Sequence, residues 1–240
     1  MRFRRGVRHG TRFSGWHLTL LLGALAIPDL ADAQQVIGVS LGSFSAASED
    51  GRSPSDVIKS NRQFQTFDIG DFSNIVVGGE WMLAVGEYLE AGAGLESYQK
   101  SVSGTSKPDS LPPPNVALAL GMTVRTISVP ITARFFPLTR NARVQPYVGG
   151  GAMIHFWRYT EERVLTAGMF ASQSNVIDQG ITAGPVVFGG ARVPIGPTIS
   201  IGGEVRYRTR EARLTAPVFA GTTLDLGGLS TVATVQFRVP

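Results

Sequence analysis

Few residues of this sequence could carry acid–base or nucleophilic chemistry. The chain of 240 residues has no cysteine, and His155 is the only histidine after residue 33. A serine hydrolase needs a hydroxyl and a general base within hydrogen-bond reach. Positions 153 and 157, which would share a strand face with His155, hold methionine and tryptophan rather than serine. We therefore expect His155 as an interior or rim residue beside Trp157, and we predict no catalytic residues and no enzymatic activity.

Metal and cofactor ligands are equally sparse. With one histidine and no cysteine, only carboxylates and carbonyl oxygens remain as ligands. Glu49 with Asp50, or Asp68 with Asp71, could hold calcium in a surface loop, but ordinary solvated charges explain them as well. The glycine cluster Gly149–Gly151 lacks the lysine and helix that follow in a phosphate-binding loop. The sequence therefore predicts no metal and no cofactor.

Charged residues recur at every second position within otherwise apolar segments. Successive side chains of a strand point to opposite faces, so this spacing puts charge and glycine on one face and apolar residues on the other. The charged positions of this face are Glu80, Glu90, Glu96, Arg134, Arg192, Glu204, Arg206 and Arg208. Four acids and four bases can neutralise one another inside a narrow barrel, whereas each would cost about 2–4 kcal/mol in lipid near the midplane. We predict a packed network of ion pairs rather than a conducting path.

Eight segments alternate in this way, and they require a β-barrel to bring the charges together. They are residues 37–42, 74–81, 89–100, 126–135, 147–157, 181–193, 199–208 and 229–238. Short links at 84–87, 137–142 and 196–198 alternate with long ones at 46–72, 103–123, 160–179 and 211–225, and the second long link contains Pro112–Pro114. This alternation of link lengths is typical of transmembrane barrels. The sequence predicts one all-β domain over 34–240, an eight-stranded antiparallel up-and-down transmembrane barrel with both termini periplasmic.

Aromatic residues on the apolar face predict where this barrel meets the membrane surfaces, because such rings form belts at the interfaces. Trp81, Phe135 and Phe237 would lie at the periplasmic end, and Phe156 and Tyr207 at the upper rim. A periplasmic barrel or sandwich with the same alternation is the alternative.

The first 33 residues predict a cleavable signal peptide. Five arginines precede the apolar run Trp16–Ile27, and the segment ends on Ala31-Asp32-Ala33, a small-x-small cleavage pattern. The apolar run is too short for a membrane-spanning helix, although a retained signal anchor is the alternative. The whole chain has 22 basic and 18 acidic residues, of which 17 and 16 lie beyond residue 33. The processed chain is therefore nearly neutral, and we expect no nucleic-acid partner.

Three stretches resemble the outer-membrane β-barrel domain superfamily related to OmpA and OmpW. They are ISVPITARFFP at Ile127–Pro137, VQPYVGGGA at Val144–Ala152 and IGGEVRYR at Ile201–Arg208. The resemblance covers essentially all of residues 34–240 and implies an eight-stranded barrel in the outer membrane of a Gram-negative bacterium. It transfers no catalytic residue. Members commonly end on an aromatic residue read by the barrel-assembly machinery, whereas here Phe237 is followed by three more residues.

These observations predict a non-enzymatic outer-membrane protein. Its partners would be outer-membrane lipid, the barrel-assembly machinery and an unknown extracellular ligand that meets the long loops, in a structural or surface-interaction role. Two alternatives stay open. One is an OmpW-like channel for small or hydrophobic molecules. The other is a barrel enzyme that modifies lipid A.

Overall fold

The computed structural model describes residues 34–107, 116–167 and 170–239. The predicted signal peptide and Pro112–Pro114 lie outside the described residues. Within the described ranges, no helix is both long enough and apolar enough to cross a membrane.

Eight antiparallel strands form a single closed sheet. They are β1 Gln35–Ala46, β2 Asn74–Val85, β3 Leu89–Ser106, β4 Val116–Phe135, β5 Gln145–Ala167, β6 Phe170–Ile195, β7 Ile199–Arg208 and β8 Gly228–Val239. Each strand pairs with the strands before and after it in the chain. In addition, β1 pairs with β8, which closes the ring. The predicted fold, an eight-stranded antiparallel up-and-down barrel, is confirmed.

The strand register shows how narrow the barrel is. A path through directly paired residues begins at Gln35 and returns to β1 at Ser45, ten residues along the same strand. The intermediate residues on this path are Leu83, Ala91, Ala133, Gly150, Val187, Tyr207 and Leu229. Closure with this stagger tilts the strands, and eight strands leave an interior just wide enough for side chains to fill.

The outer surface of the barrel carries an apolar band, and the inner face of the sheet is polar. Leu41 in β1, Phe135 in β4 and Ile181 in β6 are 58%, 46% and 68% exposed, although all are large and apolar. In each strand, the residues that alternate with these apolar ones point inward, as strand geometry requires. An apolar exterior around a charged interior is the arrangement of a transmembrane barrel, the reverse of a soluble one.

Two of the predicted long links are largely strand, so that part of the sequence prediction was wrong. β3 continues to Ser106, and β5 and β6 extend through most of residues 160–179. Beyond the apolar band the alternation inverts, because the outer face now meets water: Met122 and Val124 are buried, while Arg125 is exposed. A strand prediction that looks for apolar residues on the outer face therefore ends each strand before its true end.

Loop segments pack over and into one end of the barrel, which we call the loop end. The opposite end, with the short turns, the first residue of β1 and the last residue of β8, is the turn end. The loop segments contain helix α1 Val57–Phe64, 3-10 helices Glu49–Gly51, Ile69–Phe72 and Pro217–Phe219, and short strands Gln65–Thr66, Glu211–Arg213 and Thr223–Asp225. We call them together the cap. The apolar core that the cap forms with the strands beneath it includes Phe44, Ile58, Phe72, Tyr98, Met122, Trp157, Tyr159, Phe219 and Leu224. The cap closes the loop end with apolar packing.

Candidate functional site

The interior of the turn end is built around Glu90, which is fully buried. Arg192 donates to both of its carboxylate oxygens, at 2.6 and 3.0 Å, and Arg140 donates to Oε1 at 2.9 Å. The remaining donors of Arg192 reach the side-chain oxygens of Gln145 and Gln236, both at 2.7 Å. Each charge therefore has several hydrogen-bond partners, the condition under which a buried ion pair can offset its desolvation.

A second group of charges centres on Arg134 of β4, the direct register partner of Glu90. Its guanidinium donates to Glu80 at 2.7 and 2.8 Å and to Glu204 at 3.1 Å. The same guanidinium lies 5.0 Å from the ring centroid of Tyr147 and 5.6 Å from that of Phe188. Two carboxylates and two aromatic faces thus surround one buried cation, and cation–π contacts of this kind are strongest when desolvated.

The third group lies nearer the cap. Arg206 pairs with Glu204 and, at 3.2 Å, with Glu96. Arg208 also pairs with Glu96, and its guanidinium lies 4.2 Å from the ring centroid of Phe44 in the apolar core of the cap. The charged column therefore ends where the apolar packing of the cap begins.

All eight predicted interior charges lie in this column, where shared partners connect them. The sequence analysis missed Arg140, because it lies in the turn between β4 and β5 rather than on an alternating strand. Thr139, just before it, has a positive φ of 66°. A left-handed residue reverses the chain locally, and Arg140 enters the interior from below. The sequence signal that could have predicted Arg140 is a basic residue in a short turn, directly after a strand with a charged face.

Little free space remains inside. A cavity of about 10 Å³ lies beside Glu80 and Arg134, and a cavity of about 20 Å³ lies under the cap beside His155. Cavities of this size hold about one water each. Among the residues that the structure describes, the interior is thus a packed column of ion pairs, and the two cavities beside these charges are of water size.

His155 has a partner that the sequence analysis did not identify. Its Nδ1 lies 2.7 Å from Oγ of Ser128 on the adjacent strand, and both residues are almost fully buried. The nearest carboxylate in register, Glu96 beside Ser128, is held by Arg206 and Arg208. Catalytic serine–histidine pairs use an acidic group on the second histidine nitrogen and need access for the substrate. The pair here lies beneath the cap, with both side chains at most 2% exposed.

Asp56 joins two segments of the cap to each other. Its buried carboxylate pairs with Arg52 at 3.1 Å and accepts from the backbone N–H groups of Lys59 at 2.8 Å and Asp225 at 2.7 Å. The Lys59 contact caps the first turn of α1, where free N–H groups favour an acidic acceptor. One carboxylate therefore connects α1 with the cap segment that precedes β8.

A second polar contact fixes α1 against β5. Glu161 is fully buried and accepts from Asn61 of α1 at 2.6 Å, from the hydroxyl of Tyr159 at 2.6 Å and from Arg163 at 2.6 Å. These contacts anchor the helix to the strand extension above the apolar band.

The acidic pairs considered for calcium have protein partners. Asp68 and Asp71 form the capping box of the 3-10 helix Ile69–Phe72, and Arg62 pairs with both Glu49 and Asp68. Among the residues that the structure describes, no three acidic or histidine side chains are grouped as metal ligands would be. The contacts of these acids stabilise the conformation of the loop.

The five predicted girdle aromatics all lie on outward positions of the strands. Near the turn end, Phe135 and Phe237 are exposed, and Trp81 is half-buried because its indole N–H donates to Gln35 at 3.1 Å. Phe156 and Tyr207 are exposed nearer the loop end. Tyr88, in the turn before β3, stacks on Phe135 with centroids 6.5 Å apart and adds a ring that the alternation pattern did not include.

Asp178 holds a cap segment against β6, beyond the apolar band. Its carboxylate accepts from the N–H groups of Thr215 at 2.5 Å and Ala216 at 2.8 Å, and from the Thr215 hydroxyl at 3.1 Å. Burial alone would raise the pKa of Asp178, but these hydrogen bonds outweigh it and the pKa lies below its usual range.

We expect Asp178→Asn to release this segment, because an amide cannot accept all of these bonds. The amides of Thr215 and Ala216 should then exchange with solvent faster. A lowered folded-state pKa means that the contact is fully present above the unfolded-state pKa and is lost as the pH falls through the folded value. Hydrogen exchange in detergent measures both effects, with the exposed Glu211→Gln as control. Equal exchange in the two variants would contradict the assignment.

Comparison with solved structures places this fold among small bacterial barrels. The outer membrane protein OprG from Pseudomonas aeruginosa matches with a TM-score of 0.53 and 10% identity, over 86% of this chain and 96% of that one. Neisserial surface protein A matches with a TM-score of 0.43 and 12% identity, over 86% and 97%. The N-terminal β-barrel domain of Pseudomonas aeruginosa OprF matches with a TM-score of 0.41 and 10% identity, over 86% and 99%.

No family model and no curated protein sequence matches the chain. Of the three structures, only OprG has a TM-score high enough to support an argument, and its low identity limits that argument to the fold. The resemblance seen in the sequence is thereby confirmed for the architecture: this chain is a small closed barrel of the kind found in the outer membrane protein OprG.

Proposed function

We propose that this protein is a non-enzymatic integral protein of the outer membrane, a closed barrel that anchors the cap at the cell surface. One observation carries the proposal: an apolar outer band surrounds an interior filled by ion pairs and covered by the cap. The band gives a surface for outer-membrane lipid, while the interior formed by the described residues has cavities of water size, too small for a transported molecule. The cap is then the part of the protein available to an extracellular ligand.

The orientation follows from link lengths. Outer-membrane barrels have short turns on the periplasmic side and longer loops outside, which supports an orientation with the turn end and both termini in the periplasm. In this proposal residues 1–33 serve as the export signal, and Phe237 near the end of β8 serves as the aromatic signal for the barrel-assembly machinery. The processed protein should leave the cell envelope only with detergent, and its appearance in a detergent-free periplasmic extract would overturn the proposal.

Planar-bilayer recordings test the closed interior. We expect no reproducible conductance steps from the folded protein, since the column and the cap leave cavities of about 10 and 20 Å³. Heat-modifiable gel migration of the same sample verifies that the barrel is folded. Reproducible channels would overturn the closed anchor, and their loss in Glu90→Gln or Arg206→Gln would assign an OmpW-like conduit to the interior.

The enzyme alternative has its own measurement. Mass spectra of lipid A from cells with and without the protein should be identical, because the buried Ser128–His155 pair is closed to substrate. A new deacylated or otherwise modified species that disappears in Ser128→Ala would overturn this part of the proposal.

A further inference from the structure

Two exposed arginines face each other on the outer wall of the barrel. Arg125 in β4 is the direct register partner of Arg158 in β5, and both point away from the interior. Side chains at directly paired positions have Cβ atoms about 4.5–5.5 Å apart, and like charges placed there repel each other. Neither guanidinium forms an ion pair with another described residue. The positive charge of this pair is therefore uncompensated within the described chain.

The rows on either side differ in chemistry. One step toward the turn end, the paired residues Ile127, Phe156 and Ile181 form the edge of the apolar band. One step toward the loop end, Thr123 is paired with Thr160, and its hydroxyl lies 2.8 Å from that of Ser101. Since residues two apart share a strand face, the outer wall presents an apolar row, then a cationic row, then a hydroxyl row.

We infer that these three rows, the arginine patch, bind the phosphate of a lipid headgroup in the leaflet nearest the cap. Guanidinium groups bind phosphate through paired, charge-assisted hydrogen bonds, and the hydroxyls supply further donors. The acyl chains of the same lipid would lie on Ile127, Phe156 and Ile181. Binding an anion between Arg125 and Arg158 would also relieve their repulsion. This inference rests on the proposed membrane location.

A lipid suits the patch better than a soluble phosphate does. The patch is on the convex outer wall, where no cavity encloses a small ion, and its apolar row would contribute nothing to a freely dissolved anion. The cationic row lies directly at the boundary of the apolar band, which is the depth at which headgroup phosphates begin. An amphiphile with a phosphate at that boundary contacts all three rows together.

The test compares two double variants that remove the same charge. Arg125→Gln/Arg158→Gln removes the patch, while Arg143→Gln/Arg213→Gln removes two exposed arginines elsewhere. Each protein is inserted into phosphatidylcholine nanodiscs that contain a small fraction of phosphatidic acid, and native mass spectrometry counts the retained lipids. We expect phosphatidic acid to be enriched on the unmodified protein and on the control, and bound about tenfold more weakly by the patch variant.

Several outcomes would overturn the inference. Equal weakening in the two double variants would indicate general electrostatic attraction, and absence of enrichment on the unmodified protein would indicate no site. Displacement of phosphatidic acid by equimolar inorganic phosphate would indicate a soluble anion rather than a lipid. Failure of the folded protein to insert into nanodiscs would instead count against the proposed membrane location. Unchanged heat-modifiable migration of both variants verifies that they fold.

Discussion

Replacement of Arg192 by leucine is expected to lower the free energy of unfolding by about 3–5 kcal/mol, the range found when one partner of a buried ion pair is removed. Arg192 makes two contacts to Glu90 and one each to Gln145 and Gln236, and both charges are at most 1% exposed. Leucine leaves the carboxylate with Arg140 alone, leaves the Gln236 side-chain oxygen without its donor and leaves that of Gln145 with Arg238 only. Urea titration of the barrel in lipid vesicles measures the loss.

The control for this variant is Arg143→Leu, at the same end of the barrel but exposed. Its effect should stay within about 0.5 kcal/mol, as for other surface substitutions. The double variant Arg192→Leu/Glu90→Gln should recover part of the stability, because the amide removes the stranded charge. Equal unfolding midpoints for Arg192→Leu and Arg143→Leu would mean that the column contributes no specific stability.

Replacement of Asp56 by alanine should release α1 from the cap segment that precedes β8, again with a loss of about 3–5 kcal/mol in the opening free energy of the cap. The change leaves Arg52 buried without its counter-ion, removes the N-terminal cap of α1 and removes the acceptor for the Asp225 N–H. Loss of a helix cap alone typically costs about 1 kcal/mol. Hydrogen exchange should show faster exchange over residues 48–72, while amides within the apolar band keep their protection.

Asp50→Ala is the matched change for this experiment, because Asp50 is an exposed acid in the same loop. It should leave exchange in residues 48–72 unchanged. The double variant Arg52→Leu/Asp56→Ala should recover part of the protection if the stranded arginine dominates the loss. Uniformly faster exchange of cap and barrel in Asp56→Ala would show that the cap does not open as a separate unit, and the role assigned to Asp56 would then be wrong.

The helical part of the cap illustrates why sequence reasoning missed it. Val57–Phe64 is only eight residues long, and isolated helices of that length are marginal in water. It is stabilised by contacts from distant parts of the chain: Asn61 donates to Glu161, 100 residues away, and Asp56 accepts from Asp225, 169 residues away. Local propensity does not encode such contacts, so the segment reads as an irregular loop.

Sequence alone determined the strands within the apolar band and the inward position of the charges. This was possible because a strand repeats every two residues, so that Glu90 and Glu96 show their shared face within a single short segment. Partner choice was decided only by the closed, staggered barrel. The contact Ser128–His155 and the arginine pair Arg125–Arg158 depend on the register between strands, and one residue of slippage would turn each side chain to the opposite face. The contact Arg140–Glu90 depends on the turn between β4 and β5.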